Sequence, residues 1–328
     1  MLEALNNIKF ARYRFCLELE KEVNLPQYHG SMLRGAFGNS LKKTVCIKRH
    51  GNCDECILAT KCAYKYIFET QPPEKSEIMN KYNSVPHPFI IEPEGMDGKN
   101  LYFNFILIGN AMDYFPYVVY SIIEMGKTIG LGKDRHKFFL NKIEFIDING
   151  DTQNIYNKEE NRLITNFEPL CLKDLMEESN SAYSPLLPEE RGRVRREDNI
   201  RLKIEFLTWA RIKSNGRYID DMDFTLFMKN ILRRLSALAY FHCNNELNLD
   251  FKAIIEDIQN IKTIEKKLYW EDWTRYSNRA KTKMLLGGIK GYIVFEGDLE
   301  KFYPFIKLGE YLHIGKEATF GLGRYKIV

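Results

Sequence analysis

The chain has 328 residues, 45% hydrophobic and 28% charged, with a formal net charge of +4. This is ordinary globular composition, long enough for one large domain or two of usual size, and it permits an anionic partner without demanding one. The N-terminus has no basic segment leading into an apolar core, and no apolar run reaches the length of a membrane span, so the expectation is a cytoplasmic protein with no membrane partner.

Taken in order, Ile8–Glu20 alternates apolar and polar residues and predicts a strand. Pro26 and Gly30 mark a turn. Ser31 is placed to cap a helix over Met32–Thr44, whose Leu33, Ala36, Phe37 and Leu41 fall at helical spacing. A cysteine-rich loop follows, then a short helix near Ala63–Glu69 and a loop over Pro72–Pro88. Pro88–Pro93 and Lys99–Gly109 predict two strands joined by a turn. Met112–Lys127 predicts a helix, with Pro116 tolerated in its first turn. The loop Gly126–Gly132 leads to a strand over Lys137–Asn149. Residues 150–199 show less regularity and end in the charged run Pro188–Asp198, which reads as a linker or long connection.

The second half repeats the order of the first. Arg201–Trp209 predicts a strand, Phe224–Phe241 a helix, and Phe251–Ile261 a further amphipathic segment. Glu265–Tyr276 and Gly291–Phe295 predict neighbouring strands, Asp298 is placed to cap a helix over Leu299–Lys307, and Arg324–Val328 closes the sheet. Strand, helix, strand, strand, helix, strand is the ferredoxin-like order. The predicted fold class is therefore α+β, with two tandem ferredoxin-like (RRM-like) domains. One spans residues 1–190 with a Cys-rich insertion after its first helix. The other spans residues 191–328 with a Gly-rich loop near the C-terminus.

That Gly-rich loop is the stretch Leu308–Tyr325, which holds four glycines together with His313, Lys316 and Arg324. Backbone amides unobstructed by side chains can cradle phosphate oxygens, with lysine and arginine adding charge. Gly126–Lys133 stands at the matching place in the first half, so the helix–Gly-loop–strand junction occurs twice.

Seven cysteines are present, and four of them, Cys46, Cys53, Cys56 and Cys62, crowd into seventeen residues. Without an export signal this pattern argues for metal or free thiols over disulfides. Three readings stay open: a structural zinc on the four thiolates, an iron–sulfur cluster, or metal-free thiols. A metal here would pin the insertion and take no part in catalysis. Basic residues gather where the halves join, from Arg191, Arg193, Arg195 and Arg196 through Arg201 and Lys203 to Arg211, Lys213 and Arg217. Such a run reads either as a solvated face or as a basic surface that would track a phosphate backbone. In Trp273–Arg279, aromatics alternate with Arg275 and Arg279, a pattern that suits base stacking beside phosphate contact, although Trp273 itself reads as core.

Three stretches carry a resemblance. They are Gly30-Ser-Met-Leu-Arg-Gly-Ala-Phe-Gly38 with the cysteine loop after it, Asp272–Arg279 running on to Gly287–Gly291, and His313–Arg324. With the tandem order they resemble the RAMP superfamily of CRISPR-associated proteins, and within it the precursor-RNA endoribonucleases of the Cas-six group. The resemblance implies binding of CRISPR repeat RNA and cleavage without metal, by attack of a 2′-hydroxyl on the neighbouring phosphate to leave a 2′,3′-cyclic phosphate. The alternative within the same superfamily is a non-catalytic RNA-binding subunit of a CRISPR effector complex. The reaction needs a base, an acid and cations or amides around the phosphorane-like transition state, and histidine suits the proton transfers. Among six histidines the resemblance favours His29, before the first helix, and His313, in the Gly-rich loop. Tyr28 and Lys316 are the accompanying catalytic candidates. The candidate RNA contacts are Arg34, Lys42, Lys133, Arg135, Arg193, Arg195, Arg275, Arg279, Gly315, Gly321, Gly323 and Arg324. Partners beyond the RNA would be effector-complex proteins or a second copy of the chain.

Overall fold

A computed structural model describes residues 2–26, 28–48, 52–70, 85–182, 200–277 and 282–328. In chain order the elements are α1 (Leu2–Asn6), β1 (Phe10–Leu19), α2 (Gly30–Val45), α3 (Ala63–Phe68), β2 (Phe89–Asp97), β3 (Asn100–Ile108), α4 (Phe115–Glu124), β4 (Phe138–Ile146), β5 (Thr152–Asn157), β6 (Arg162–Leu163), α5 (Leu172–Ala182), β7 (Ile200–Ala210), β8 (Lys213–Ser214), β9 (Arg217–Tyr218), α6 (Phe224–His242), α7 (Phe251–Ile258), β10 (Lys262–Ser277), β11 (Thr282–Gly297), α8 (Tyr303–Leu312) and β12 (Tyr325–Ile327). The chain forms two compact units. One comprises Lys9–Leu170 with Phe241–Asn244; the other comprises Met1–Ile8, Cys171–Tyr240 and Asn245–Val328.

The unit built on Lys9–Leu170 carries an antiparallel sheet in the order β2-β3-β1-β4-β5-β6. Side chains alternate across a strand, so Tyr13, Phe15 and Leu17 share one face of β1. All three are buried there. Tyr13 stacks on Phe115 of α4 at 3.9 Å, Phe15 on Phe103 of β3 at 5.2 Å, and Phe37 of α2 meets Phe105 edge-on at 5.1 Å. Helices α2 and α4 thus cover the same face. Ser40 of α2 donates to the Ser121 carbonyl of α4 at 2.7 Å, a close approach that small side chains permit.

Two sequence expectations shift here. The helix after the turn begins at Gly30, with His29 rather than Ser31 at its N-cap. The segment read as one helix over Met112–Lys127 is three: a 3-10 turn over Gly109–Tyr114, α4, and a π-helical turn over Met125–Ile129. Pro116 stands at the start of α4, where its fixed φ suits a new helix start. The π turn ends at Gly130, whose φ of 74° is the left-handed geometry that glycine takes without strain.

The other unit carries a four-stranded antiparallel sheet in the order β10-β11-β7-β12. Its core joins Phe224 and Phe227 of α6 to Phe295 of β11 and Tyr325 of β12. The Tyr325 hydroxyl donates to the Ile306 carbonyl of α8 at 2.6 Å. Strands β10 and β11 run sixteen residues each, far past the short strand read over Gly291–Phe295.

Candidate functional site

His29 stands at the N-cap of α2 and supplies no side-chain cap bond. Its carbonyl accepts the first helical bond, from Leu33 N at 2.9 Å. The ring is 5% exposed. Nδ1 faces the Pro26 carbonyl at 3.4 Å, and Nε2 has no hydrogen-bond partner among the described residues. Burial holds its pKa below the ordinary histidine value, with the Pro26 carbonyl pulling weakly the other way. Burial thus favours the neutral ring, with Nδ1 toward the Pro26 carbonyl and Nε2 buried. Tyr28, next in the chain, is half-buried.

Along α2, the candidate Arg34 lies over the Phe68 ring at 4.2 Å with Nη2 3.4 Å from His87 Nε2, so it is partly engaged in packing. Lys42 sits over Tyr64 at 5.2 Å. Lys133 and Arg135 are exposed on the tight turn between Leu131 and His136, at the junction that precedes β4.

The Gly-rich loop after α8 is built by backbone geometry. His313, Gly315, Glu317, Gly321 and Gly323 all have positive φ. Two of the glycines serve close approach: a Cβ on Gly323 would strike the Ile314 carbonyl, and one on Gly315 the Arg211 carbonyl. The loop is tied to the end of β7 by Lys316 N to Arg211 O at 2.8 Å, Gly323 N to Trp209 O at 3.0 Å, and Thr208 Oγ1 to Gly321 O at 2.8 Å. His313 is 1% exposed, with Nδ1 3.0 Å from the Leu322 carbonyl. It spans the two arms of the loop. Gly321 and Gly323 are buried, Arg324 is half-buried, and Gly315 to Glu317 form the outward part.

That outward part is cationic. Partial burial lowers the Lys316 pKa, Arg233 and Lys213 lower it further by repulsion, and Glu317 opposes them. Such crowding of like charge is relieved when an anion binds. Beside it, Arg234 of α6 is half-buried, and its Nε donates to the Leu312 carbonyl at the C-terminus of α8 at 2.6 Å. Burial pulls its pKa down to about 10. Its Nη2 has no partner among the described residues. Arg233 and Arg234 were missed from sequence. The signal was present, because Arg234 shares a helical face with Ile231, Leu235 and Leu238, all buried.

Other expected contacts are engaged elsewhere or fall outside the described residues. Arg201 pairs with Glu296 at 2.6 Å, Lys203 lies over Tyr292 at 4.2 Å, and Arg211 is 5% exposed. Arg193, Arg195 and Arg279 lie outside the described residues, as does the Arg275 side chain. Trp273 is half-buried against Trp209 at 5.5 Å. Cys46, Cys53, Cys56 and Cys62 are all free thiols, half-buried, and no group of three or more His, Cys, Asp or Glu side chains among the described residues is gathered to hold a metal ion. No helix among the described residues is long and apolar enough to cross a membrane.

Comparison with known proteins fits this architecture. Residues 204–325, which carry β7, the long hairpin and the Gly-rich loop, match the family model of the CRISPR-associated endoribonuclease Cas6. Residues 8–168 match a second model, described as an N-terminal domain. An uncharacterized protein of Archaeoglobus fulgidus is 21% identical over 319 residues, 94% of this chain and 96% of that one. Among solved structures, a Cas6 product complex superposes with a TM-score of 0.58 at 14% identity, covering 98% of this chain and 99% of that one. Thermus thermophilus Cas6 gives 0.54 at 13% identity, again over 98% and 99%. A chain of a partial Cas6-RT-Cas1–Cas2 complex gives 0.56 at 15% identity, covering 98% of this chain and 46% of that one. The fold is that of the CRISPR-associated RNA endonucleases. The sequence match to the Cas6 model is confined to residues 204–325, and the superpositions show a Cas6-like fold over the chain.

Proposed function

We propose that this protein binds CRISPR repeat RNA and cuts it by internal attack of a 2′-hydroxyl, with His29 as the group that takes the hydroxyl proton. The observation that carries the reading is His29 itself: an imidazole that burial holds toward the neutral form, whose Nε2 has no partner among the described residues, at a cap position where its side chain makes no cap bond. The O2′–H proton passes to Nε2, the O2′–P bond forms, and the P–O5′ bond breaks as O5′ takes a proton from an acid or water. The products are a 2′,3′-cyclic phosphate and a 5′-hydroxyl, and no metal enters the step. Within the other unit, Lys316 and the amides of Gly315–Glu317 offer charge and donors to a phosphate of the RNA backbone. His313, bonded across its loop, holds those amides in place.

The two strand orders support a tandem ferredoxin-like reading. In each unit the first strand of the motif lies between the third and the fourth, with the second outside the third. The expected partner is the repeat-bearing transcript, which locates the protein wherever that RNA is made.

The test is incubation with cognate repeat RNA in EDTA. A single cut ending in a cyclic phosphate supports the reading. Tight binding without a cut, persisting at alkaline pH, overturns it in favour of a non-catalytic RNA-holding subunit.

A further inference from the structure

The hairpin β10–β11 outruns its sheet. Strand β7 pairs with β11 only from Ile289 to Gly297, whereas β10 and β11 remain paired out to Ser277 and Thr282. A two-stranded ribbon by itself is marginal in water, so its direction has to be set at its root. That root is Gly287-Gly288. Trp270 lies over Gly287, where a Cβ would collide with the indole and with the Asp272 carboxylate, and Trp270 Nε1 donates to Asp272 Oδ1 at 2.8 Å. Trp209 lies against Gly288, which points to the opposite face. Two bare glycines therefore let this strand pass the Trp270 indole on one face and the Cβ and backbone of Trp209 on the other.

Arg211, immediately after β7, reaches this root and the Gly-rich loop together. Its Nη1 donates to the Gly287 carbonyl, its Nε to Glu317 Oε2 at 2.8 Å, and its guanidinium lies 4.1 Å from the Tyr218 ring centre. Its own carbonyl accepts from Lys316 N. The side chain is buried, and a buried guanidinium with this many fixed partners has one geometry open to it.

We infer that Arg211 is a positioning residue that locks the β10–β11 ribbon to the Gly-rich loop, so that both meet RNA as one rigid surface. The inference rests on the RNA-cleaving reading above. Its consequence is that damage on the loop side of the lock loosens the ribbon root.

The experiment compares the full chain with Glu317→Gln and Arg211→Lys by amide hydrogen exchange and by steady-state cleavage of repeat RNA. Glu317→Gln keeps the shape of the half-buried side chain and leaves the Gly287 bond to Arg211 untouched, so it avoids the folding risk of deleting the guanidinium. Exchange is expected to rise about tenfold in residues 284–290 as well as 314–323, as loss of one charge-assisted hydrogen bond would give. KM is expected to rise about tenfold with kcat unchanged, the mark of a disordered binding surface. A merely structural role would lower the active fraction, reducing apparent kcat at constant KM. Arg211→Lys, which retains charge for Glu317 but loses the fork, is expected to loosen residues 284–290 more than the loop. Faster exchange confined to 314–323 in Glu317→Gln, or an unchanged KM, overturns the inference. If the wild-type chain neither binds nor cuts repeat RNA, the functional reading fails, and the exchange data still decide whether the lock exists.

Discussion

Replacing His29 with asparagine separates the stability of α2 from the chemistry assigned to its first residue. Asparagine is among the best N-cap residues, and substitutions between good and poor caps are worth about 0.5–2 kcal/mol. His29 uses the position without a side-chain cap bond, so the variant gains at that end of the helix. What it gives up is the long 3.4 Å contact of Nδ1 with Pro26 and part of the buried ring surface, together about 1 kcal/mol or less for the hydrogen bond. At pH 7.5 or so the two effects roughly cancel, and His29→Asn is expected within about 1 kcal/mol of wild type. The pH dependence separates the two proteins. The unfolded imidazole titrates near 6.5, and burial lowers the folded value. Above the unfolded pKa both states are neutral. Below it the unfolded state takes the proton first, so wild-type stability falls with pH by at most about 1.4 kcal/mol per unit until the folded pKa is reached. His29→Asn lacks this component. Urea unfolding at about pH 5.5 and pH 7.5 reads both effects. Single-turnover cleavage of repeat RNA should meanwhile fall about 10²- to 10⁴-fold, the usual yield of a general base. A variant that cuts at the wild-type rate refutes the assignment. So does one that loses more than about 2 kcal/mol at neutral pH with identical pH slopes, since His29 would then be a packing residue.

Gly323→Ala places a Cβ at a φ of 74° and against the Ile314 carbonyl. Left-handed backbone and overpacking together predict a loss of about 2–4 kcal/mol by chemical denaturation, and a loss below about 1 kcal/mol would show that the loop relaxes freely. In the cysteine loop, burial raises the Cys53 thiol pKa, Glu69 raises it further, and Lys42 lowers it. Cys53 should therefore be slow toward a thiol reagent at neutral pH, and a chelator should change neither its rate nor those of Cys46, Cys56 and Cys62. Simultaneous unmasking of all four by a chelator would show a shared metal.

The sequence made the framework legible where one physical signal dominated. Alternation marked β1 because one face of that strand is wholly buried, and helical spacing marked α2 and α6. Reading failed where signals competed. Strand β11 reads short because Gly287-Gly288 resembles a break, while in space Gly287 makes room for the Trp270 indole and Gly288 for the Cβ and backbone of Trp209. Helix α8 begins one turn later than Asp298 suggested, because Pro304 sets its first turn. Strands β5 and β6 and helix α5 were lost among residues 150–199, where short amphipathic pieces give too few periods to detect. At the candidate site, residue type and resemblance nominate His29, Lys316 and the Gly-rich loop, and the cleavage assays above decide their roles. Whether a given glycine faces outward or is buried depends on tertiary packing that no local pattern encodes, whereas the inward turn of Arg234 is written in the helical spacing of α6.

The chain has three tryptophans, Trp209, Trp270 and Trp273, and all three lie at the root of the β10–β11 ribbon. Intrinsic tryptophan emission from this protein is thus a single-region signal. Excited on the red edge, beyond the tyrosine band, the whole molecule reports the polarity and quenching environment of that one clamp. If RNA meets the ribbon as proposed, its arrival can be followed by light from the unlabelled protein.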